Sequence, residues 1–212
     1  MRIVFDNDVL LKGACYGLLD QFISAECEPN EVIGILGAAR FVVASKIRGR
    51  SNRSAWALQN LAAFLPKTEI LEPSEREQSM AADLELAGQK AGLNLNSGES
   101  LLCSIVVYRA LALLLTGDKR AIEAIDRLLD CDSRLDKMKG RVECIEQLIA
   151  KLLCSLDASE LQRAICGEPD VDKALANCFS CRSPDVRITS FAEGLYSYIE
   201  DLRAVAGRVL IS

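Results

Sequence analysis

The sequence predicts a three-layer α/β/α domain with a mainly parallel central sheet, followed by a helical C-terminal extension. Two features carry this reading. Short apolar runs that end at polar turns alternate with stretches of helical periodicity, the order that builds βα units. Beyond Glu146 the pattern turns wholly helical. At 212 residues the chain is long enough for one full domain with its own core. The expected division is an α/β domain over residues 1–150 and a helical layer over 151–212 packed upon it.

Residues 2–5 form a short, mainly apolar run that enters Asp6-Asn7-Asp8, which reads as a buried strand followed by a polar turn. Val9, Leu10, Leu11, Cys15, Leu18, Leu19, Phe22 and Ile23 then recur at helical spacing. Residues 32–65 read as mostly helical. Ile70-Leu71 reads as a short strand before Pro73. Ser74 with Glu77 forms a capping box that opens a helix, which closes near Ala91 at Gly92. A second helix starts at Asn96-Ser97-Gly98-Glu99 and reaches about Arg109. Residues 110–115 are apolar and end at Thr116-Gly117-Asp118, as a buried parallel strand would. A helix over 119–129 and a strand over 141–144 complete the alternation. In the helical tail, Asp157 with Glu160 and Ser190 with Glu193 read as further capping boxes, and Gly207 as a stop.

Composition narrows the chemistry. There is no histidine, which removes a Ser-His-Asp triad, a Cys-His protease and a His-ligated zinc. Acid–base or metal chemistry must come from carboxylates, Lys, Tyr or Cys. Neither G-x-x-x-x-G-K-[ST] nor G-x-G-x-x-G occurs. The nine cysteines are scattered, and the one close pair, Cys178 and Cys181, lacks the second pair a zinc site needs. No signal-peptide pattern opens the chain and no apolar run reaches 18 residues, so a reduced, soluble, cytoplasmic protein is expected. The formal net charge of −5 opposes nucleic-acid binding, yet residues 32–68 carry six cations and no acid. Lys46, Arg48, Arg50 and Arg53 are the candidate phosphate contacts, with a plain solvated helix face as the alternative.

Functional groups of a parallel sheet collect beyond the carboxyl ends of its strands. Asp6 and Asp8 follow the first strand, Asp118 follows another, and Glu99 opens the helix between. Pairing those two strands would set Asp6, Glu99 and Asp118 around one cleft. Carboxylates so grouped call for a hard cation, Mg²⁺ or Mn²⁺. The plainer reading makes Asp6 and Asp118 helix N-caps and lets Glu99 complement a helix N-terminus through the macrodipole.

These three segments, Ile3-Val4-Phe5-Asp6-Asn7-Asp8, Gly98-Glu99-Ser100-Leu101-Leu102 and Leu114-Leu115-Thr116-Gly117-Asp118-Lys119-Arg120, resemble the PIN-like domains. These metal-dependent ribonucleases include toxin components of bacterial toxin–antitoxin pairs. The resemblance spans about residues 1–130. It implies hydrolysis of RNA phosphodiesters, with Asp6, Glu99 and Asp118 catalytic and Asp8 joining them as metal ligands. It also implies RNA as substrate and raises an antitoxin-like inhibitory partner. The family's second acid is missing near Lys46, where Asp8, Glu143 or Glu146 could substitute. That absence keeps open an alternative, a PIN-like RNA-binding or protein-interaction module without catalysis. A homodimer is a further expectation, from the stripe Leu195, Tyr198, Ile199, Leu202 and Val205, which would serve core packing equally well.

Overall fold

The computed structural model describes residues 2–28, 31–182 and 189–212. Five strands form one sheet: β1 (Ile3–Phe5), β2 (Ile33–Leu36), β3 (Thr68–Leu71), β4 (Leu113–Thr116) and β5 (Val142–Cys144), in the order β3-β2-β1-β4-β5. Every pairing between them is parallel, with Val4 opposite both Gly34 and Leu114. A strand covered on both faces must be apolar at nearly every position. β1, β2 and β4 read Ile-Val-Phe, Ile-Gly-Ile-Leu and Leu-Leu-Leu-Thr, and all are buried.

Two helical layers cover the sheet. Ile3, Phe5, Ile33, Ile35, Leu113 and Leu115 face a core shared with α1 (Asn7–Tyr16), α2 (Leu19–Glu26), α3 (Ala39–Arg50), α4 (Ser54–Phe64) and α8 (Ile145–Ser155). α9 (Ala158–Cys166) and α10 (Lys173–Cys178) add Leu161, Ile165 and Leu175 to the same core. Val4, Leu36 and Leu114 face the other side, where α5 (Glu75–Lys90), α6 (Ser97–Arg109) and α7 (Lys119–Leu128) pack. The last helix, α11 (Thr189–Ala206), serves both cores, Phe191 and Leu195 one and Ile199 and Leu202 the other. Most of the stripe that suggested a dimer is therefore used inside the chain; of its members only Val205 is well exposed. Beyond α11 the chain lies along β5: the Val142 amide donates to the Val209 carbonyl, and Val142 bridges Leu210 in parallel. That covers an edge otherwise free to pair.

Two departures from the sequence reading have local causes. Residues 33–36 are a strand where helix was expected, because a four-residue apolar run has the same signature in a buried helix and a buried strand. The helix expected over residues 9–23 is two, broken at Gly17, whose φ of 70° is left-handed. The capping box expected at Ser74–Glu77 forms, and the helix expected to start at Asn96 does so, through a second capping box with Glu99. Asp157 caps α9, and α11 ends just before Gly207. α11 already begins at Thr189, and the residues ahead of it, 183–188, lie outside the described ones, so the cap expected at Ser190 is not placed. No helix among the described residues is long and apolar enough to cross a membrane.

Gly17 has a second constraint, because a Cβ there would strike the Trp56 ring. Gly17→Ala is expected to cost about 1–2 kcal/mol from the left-handed backbone alone. Urea unfolding checks it: the midpoint should fall with the m-value unchanged.

Candidate functional site

From β1 the chain builds the sheet outward to β2 and β3, then returns to place β4 on the other side of β1. Connections leave β1 and β4 in opposite directions, which opens a crevice beyond their carboxyl ends. Asp6 lies at its centre. It is the N-cap of α1 and 5% exposed; its carboxylate accepts from the Asn7 amide at 2.6 Å and from Thr116 Oγ1 at 3.1 Å. Glu99, also 5% exposed, sits in the first turn of α6, and its carboxylate accepts from the Asn96 amide at 2.9 Å. Asp118 caps α7 through the Arg120 amide at 2.9 Å. The plain N-cap reading thus holds for Asp6 and Asp118, and at Asp6 it coexists with placement in the crevice. A cavity of about 300 Å³ opens beside them, with Asn96, Glu99, Asp118 and Arg120 in its wall.

The three acids differ in how their charge is met. Burial pushes the Asp6 carboxyl up against the Asn7 hydrogen bond, and the neighbouring Asp8 adds to the rise. Burial raises Glu99 to about 7, with the charges of Asp6 and Asp118 contributing and the Asn96 amide opposing. Burial acts upward on Asp118 too, yet hydrogen bonds from Arg120 outweigh it and hold this carboxyl below its usual range. Arg120 reaches Asp118 at 3.2 Å, whereas neither Asp6 nor Glu99 has an ion-pair partner among the described residues. Also among those residues, no three Asp, Glu or Cys side chains approach closely enough to hold a metal ion together.

Asp8 has a different neighbour. Lys12, one turn further along α1 and 4% exposed, places its ammonium 2.6 Å from Asp8 and 2.6 Å from Asp172, and 3.5 Å from the Gly117 carbonyl. Burial opposes the charge on Lys12, but the two carboxylates outweigh it and raise its pKa. Asp172 is held low by the same contact, against the pull of burial. The turn that carries Asp118 packs tightly on this cluster: a side chain at Gly117 would collide with both Asp8 and Lys12. Neither Lys12 nor Asp172 was singled out in the sequence, and their separation in the chain leaves no local signal.

The remaining acids considered as ligands are engaged elsewhere. Glu146, at the carboxyl end of β5, pairs with Lys119 at 2.8 Å. Glu143 points from β5 into the first core, where Lys151 bridges it to Glu26 at 2.8 and 2.7 Å. Burial, with the Glu26 charge, raises Glu143 to about 8. The cations of residues 40–53 line α3 and the turn after it. α3 begins just beyond the carboxyl end of β2, with Arg40 in its first turn. Lys46, Arg48 and Arg50 lie about 1.7 to 2.8 turns further, about 9–15 Å along the helix axis. Among the described residues these four make no ion pair, while Arg53 pairs with the buried Glu168 and stacks over Trp56 at 4.5 Å. Phe41 is 65% exposed beneath Arg40, at 4.5 Å, and shares the outer face of α3 with Arg48. Cys178 is a buried free thiol, whereas Cys181 is joined to Cys166 in a disulfide, unlike the fully reduced chain expected.

Two measurements probe these charges. Glu99 gives up its proton in the unfolded chain at about 4.5 and in the folded protein at about 7. Stability should therefore fall as pH rises from about 4.5 to 7, by an amount on the order of 2–3 kcal/mol. Glu99→Gln, which retains the capping box, should flatten that slope in denaturation curves taken across the window. Lys12→Met leaves Asp8 and Asp172 without their cation and should destabilise by about 3 kcal/mol, read as a lowered urea midpoint. No family model, curated protein or solved structure matches this chain.

Proposed function

We propose that the protein is a PIN-like, metal-dependent ribonuclease whose carboxylate crevice holds Mg²⁺ or Mn²⁺. One observation carries the reading: Asp6 and Glu99 are both buried at the sheet's switch point with no ion-pair partner among the described residues, while Asp8, Asp118 and Glu146 each have one. Burial raises the pKa of both carboxyls, and the Asp6 charge raises Glu99 further, so the pair is short of positive charge. Mg²⁺ is commonly held by one or two carboxylates with retained waters and substrate phosphates, so this pair meets the minimum that such an ion needs. The oxygen-only donor set also suits a hard cation.

In this reading Asp6 and Glu99 are the ion's ligands and Asp118 joins them on parting from Arg120. When bound, such an ion polarises the scissile phosphate and supplies an activated water. Arg120, freed from Asp118, faces the cavity and can contact the phosphate bidentately. Arg40, Lys46, Arg48 and Arg50 hold the RNA backbone along α3, and Phe41 offers a face on which a base can stack. Lys12 keeps Asp8 neutralised and fixes the Gly117–Asp118 turn.

A second reading, an RNA-binding module without catalysis, is favoured by a specific observation: Asp8 and Asp118 are both occupied by basic side chains, and the first turn of α3 has no acid. Melting curves with and without Mn²⁺, run beside cleavage assays on a mixed single-stranded RNA pool, separate the two. Saturating Mn²⁺ should raise the melting temperature of the wild-type chain by mass action. Asp6→Asn should lose both the shift and at least about 100-fold in cleavage rate. RNA binding without cleavage or a Mn²⁺ shift would select the second reading. Arg48→Ala with Arg50→Ala should weaken RNA binding evenly across sequences and shallow its salt dependence.

A further inference from the structure

The Cys166–Cys181 disulfide closes a loop of α9's last residue, the turn after it and α10. Two acids inside that loop reach out of it. Glu168, fully buried, accepts from Ser51 Oγ at 2.9 Å and from the amides of Asn52 and Arg53 at 3.0 and 2.7 Å, where α3 hands over to α4. Asp172 caps α10 through the Leu175 amide and holds Lys12. The loop thus grips both α1, which starts at Asp6, and the turn that ends the cationic helix α3. Both cysteines are only partly buried. Cysteines 166 and 181 bracket the loop at its two ends, so their bond limits how far Glu168 and Asp172 can withdraw together.

We propose that this disulfide is a redox-controlled strap that locks the carboxylate crevice and the cationic helix through Asp172 and Glu168. Closing it transfers two electrons from the cysteine thiols to a small-molecule disulfide. The Sγ–Sγ bond forms, the oxidant's S–S bond breaks, and the two thiol protons leave on the two thiols released. A dithiol runs the exchange in reverse, becoming a cyclic disulfide as Cys166 and Cys181 regain their protons. With the strap open, the loop gains freedom, and the salt bridge to Lys12 and the cap on the turn at residues 51–53 must each hold alone. Lys12 links that change to Asp8 and to the turn bearing Asp118.

The test does not depend on nuclease activity. Hydrogen exchange is followed on the full chain before and after dithiothreitol, with peptide mapping under non-reducing conditions to verify the 166–181 link. Reduction should speed exchange at least tenfold in peptides covering residues 7–17 and 51–57 as well as in the loop itself. The Cys166→Ser, Cys181→Ser double variant should show the faster pattern throughout and ignore dithiothreitol. Asp172→Asn should leave residues 7–17 fast even when oxidised, a second arm that stands if the serine variant does not fold. A change confined to residues 166–182, an equal response in the serine variant, or absence of the linked peptide from the untreated protein would overturn the proposal.

Discussion

The lateral union of β1 with β4 at its carboxyl end is the constraint on which the rest of the site depends, and Asp6 secures it. Its amide donates to the Leu115 carbonyl at 3.0 Å, continuing the ladder one residue past the strand, and its carboxylate takes the Thr116 hydroxyl across the same seam. The same carboxylate starts α1. One buried acid therefore ends a strand, begins a helix and ties two strands that are distant in sequence. Because the chain reverses its direction of sheet growth at this seam, the helices that leave β1 and β4 diverge, and the gap between them is where a ligand has room. A charge placed there is structural and available at once, since each carboxylate oxygen has lone pairs beyond the hydrogen bond it accepts.

Around that seam the protein sorts its acids by whether a cation accompanies them. Asp8 has Lys12, Asp118 has Arg120, Glu146 has Lys119 and Glu143 has Lys151. Asp6 and Glu99 have none among the described residues, and both are more deeply buried than Asp118. A buried carboxylate normally gains a partner or gives up its charge, and burial accordingly raises Glu99 to about 7. The bulk charge of −5 hides this local arrangement completely. It averages an acidic body with one helix whose exposed cations are mostly unpaired, so the sign relevant to a polyanion is that of α3 and not that of the whole.

Fold class and most elements were legible because parallel strands buried on both faces leave continuous apolar runs, and because capping residues mark helix starts. Asp6, Glu99 and Asp118 were legible for the same reason: each stands where an element begins or ends. What stayed hidden was whatever depends on contacts between distant segments. β2 looked like helix because four apolar residues carry no period of their own. Lys12 lies in an otherwise apolar helix, and only the arrival of Asp172 from the C-terminal third explains why its charge is tolerated there. The cationic segment was read as one patch, but the helix extends it along an axis, from Arg40 in the first turn to Arg50 at its end. The disulfide was invisible for a related reason, since fifteen residues separate its cysteines and only the packing of α10 against α9 brings them together.

The C-terminal third is woven into the domain that it follows. Leu148, Leu161, Leu175 and Phe191 lie in one core with Phe5 and Leu10. Asp126 on α7 accepts from the Arg208 amide and guanidinium at 2.9 and 2.8 Å, while Val209 to Ile211 complete the edge of β5. Glu168 and Asp172 then reach the two elements that flank the crevice on its far side. Removing the segment would strip the cation's second partner from Lys12 and the cap from the start of α4, as well as exposing the β5 edge. A crevice made of buried like charges is electrostatically costly to hold open, and two acids that brace it, Asp172 on Lys12 and Glu168 at the start of α4, come from this segment. Whatever binds between Asp6 and Glu99 therefore acts on a frame that the tail holds in place.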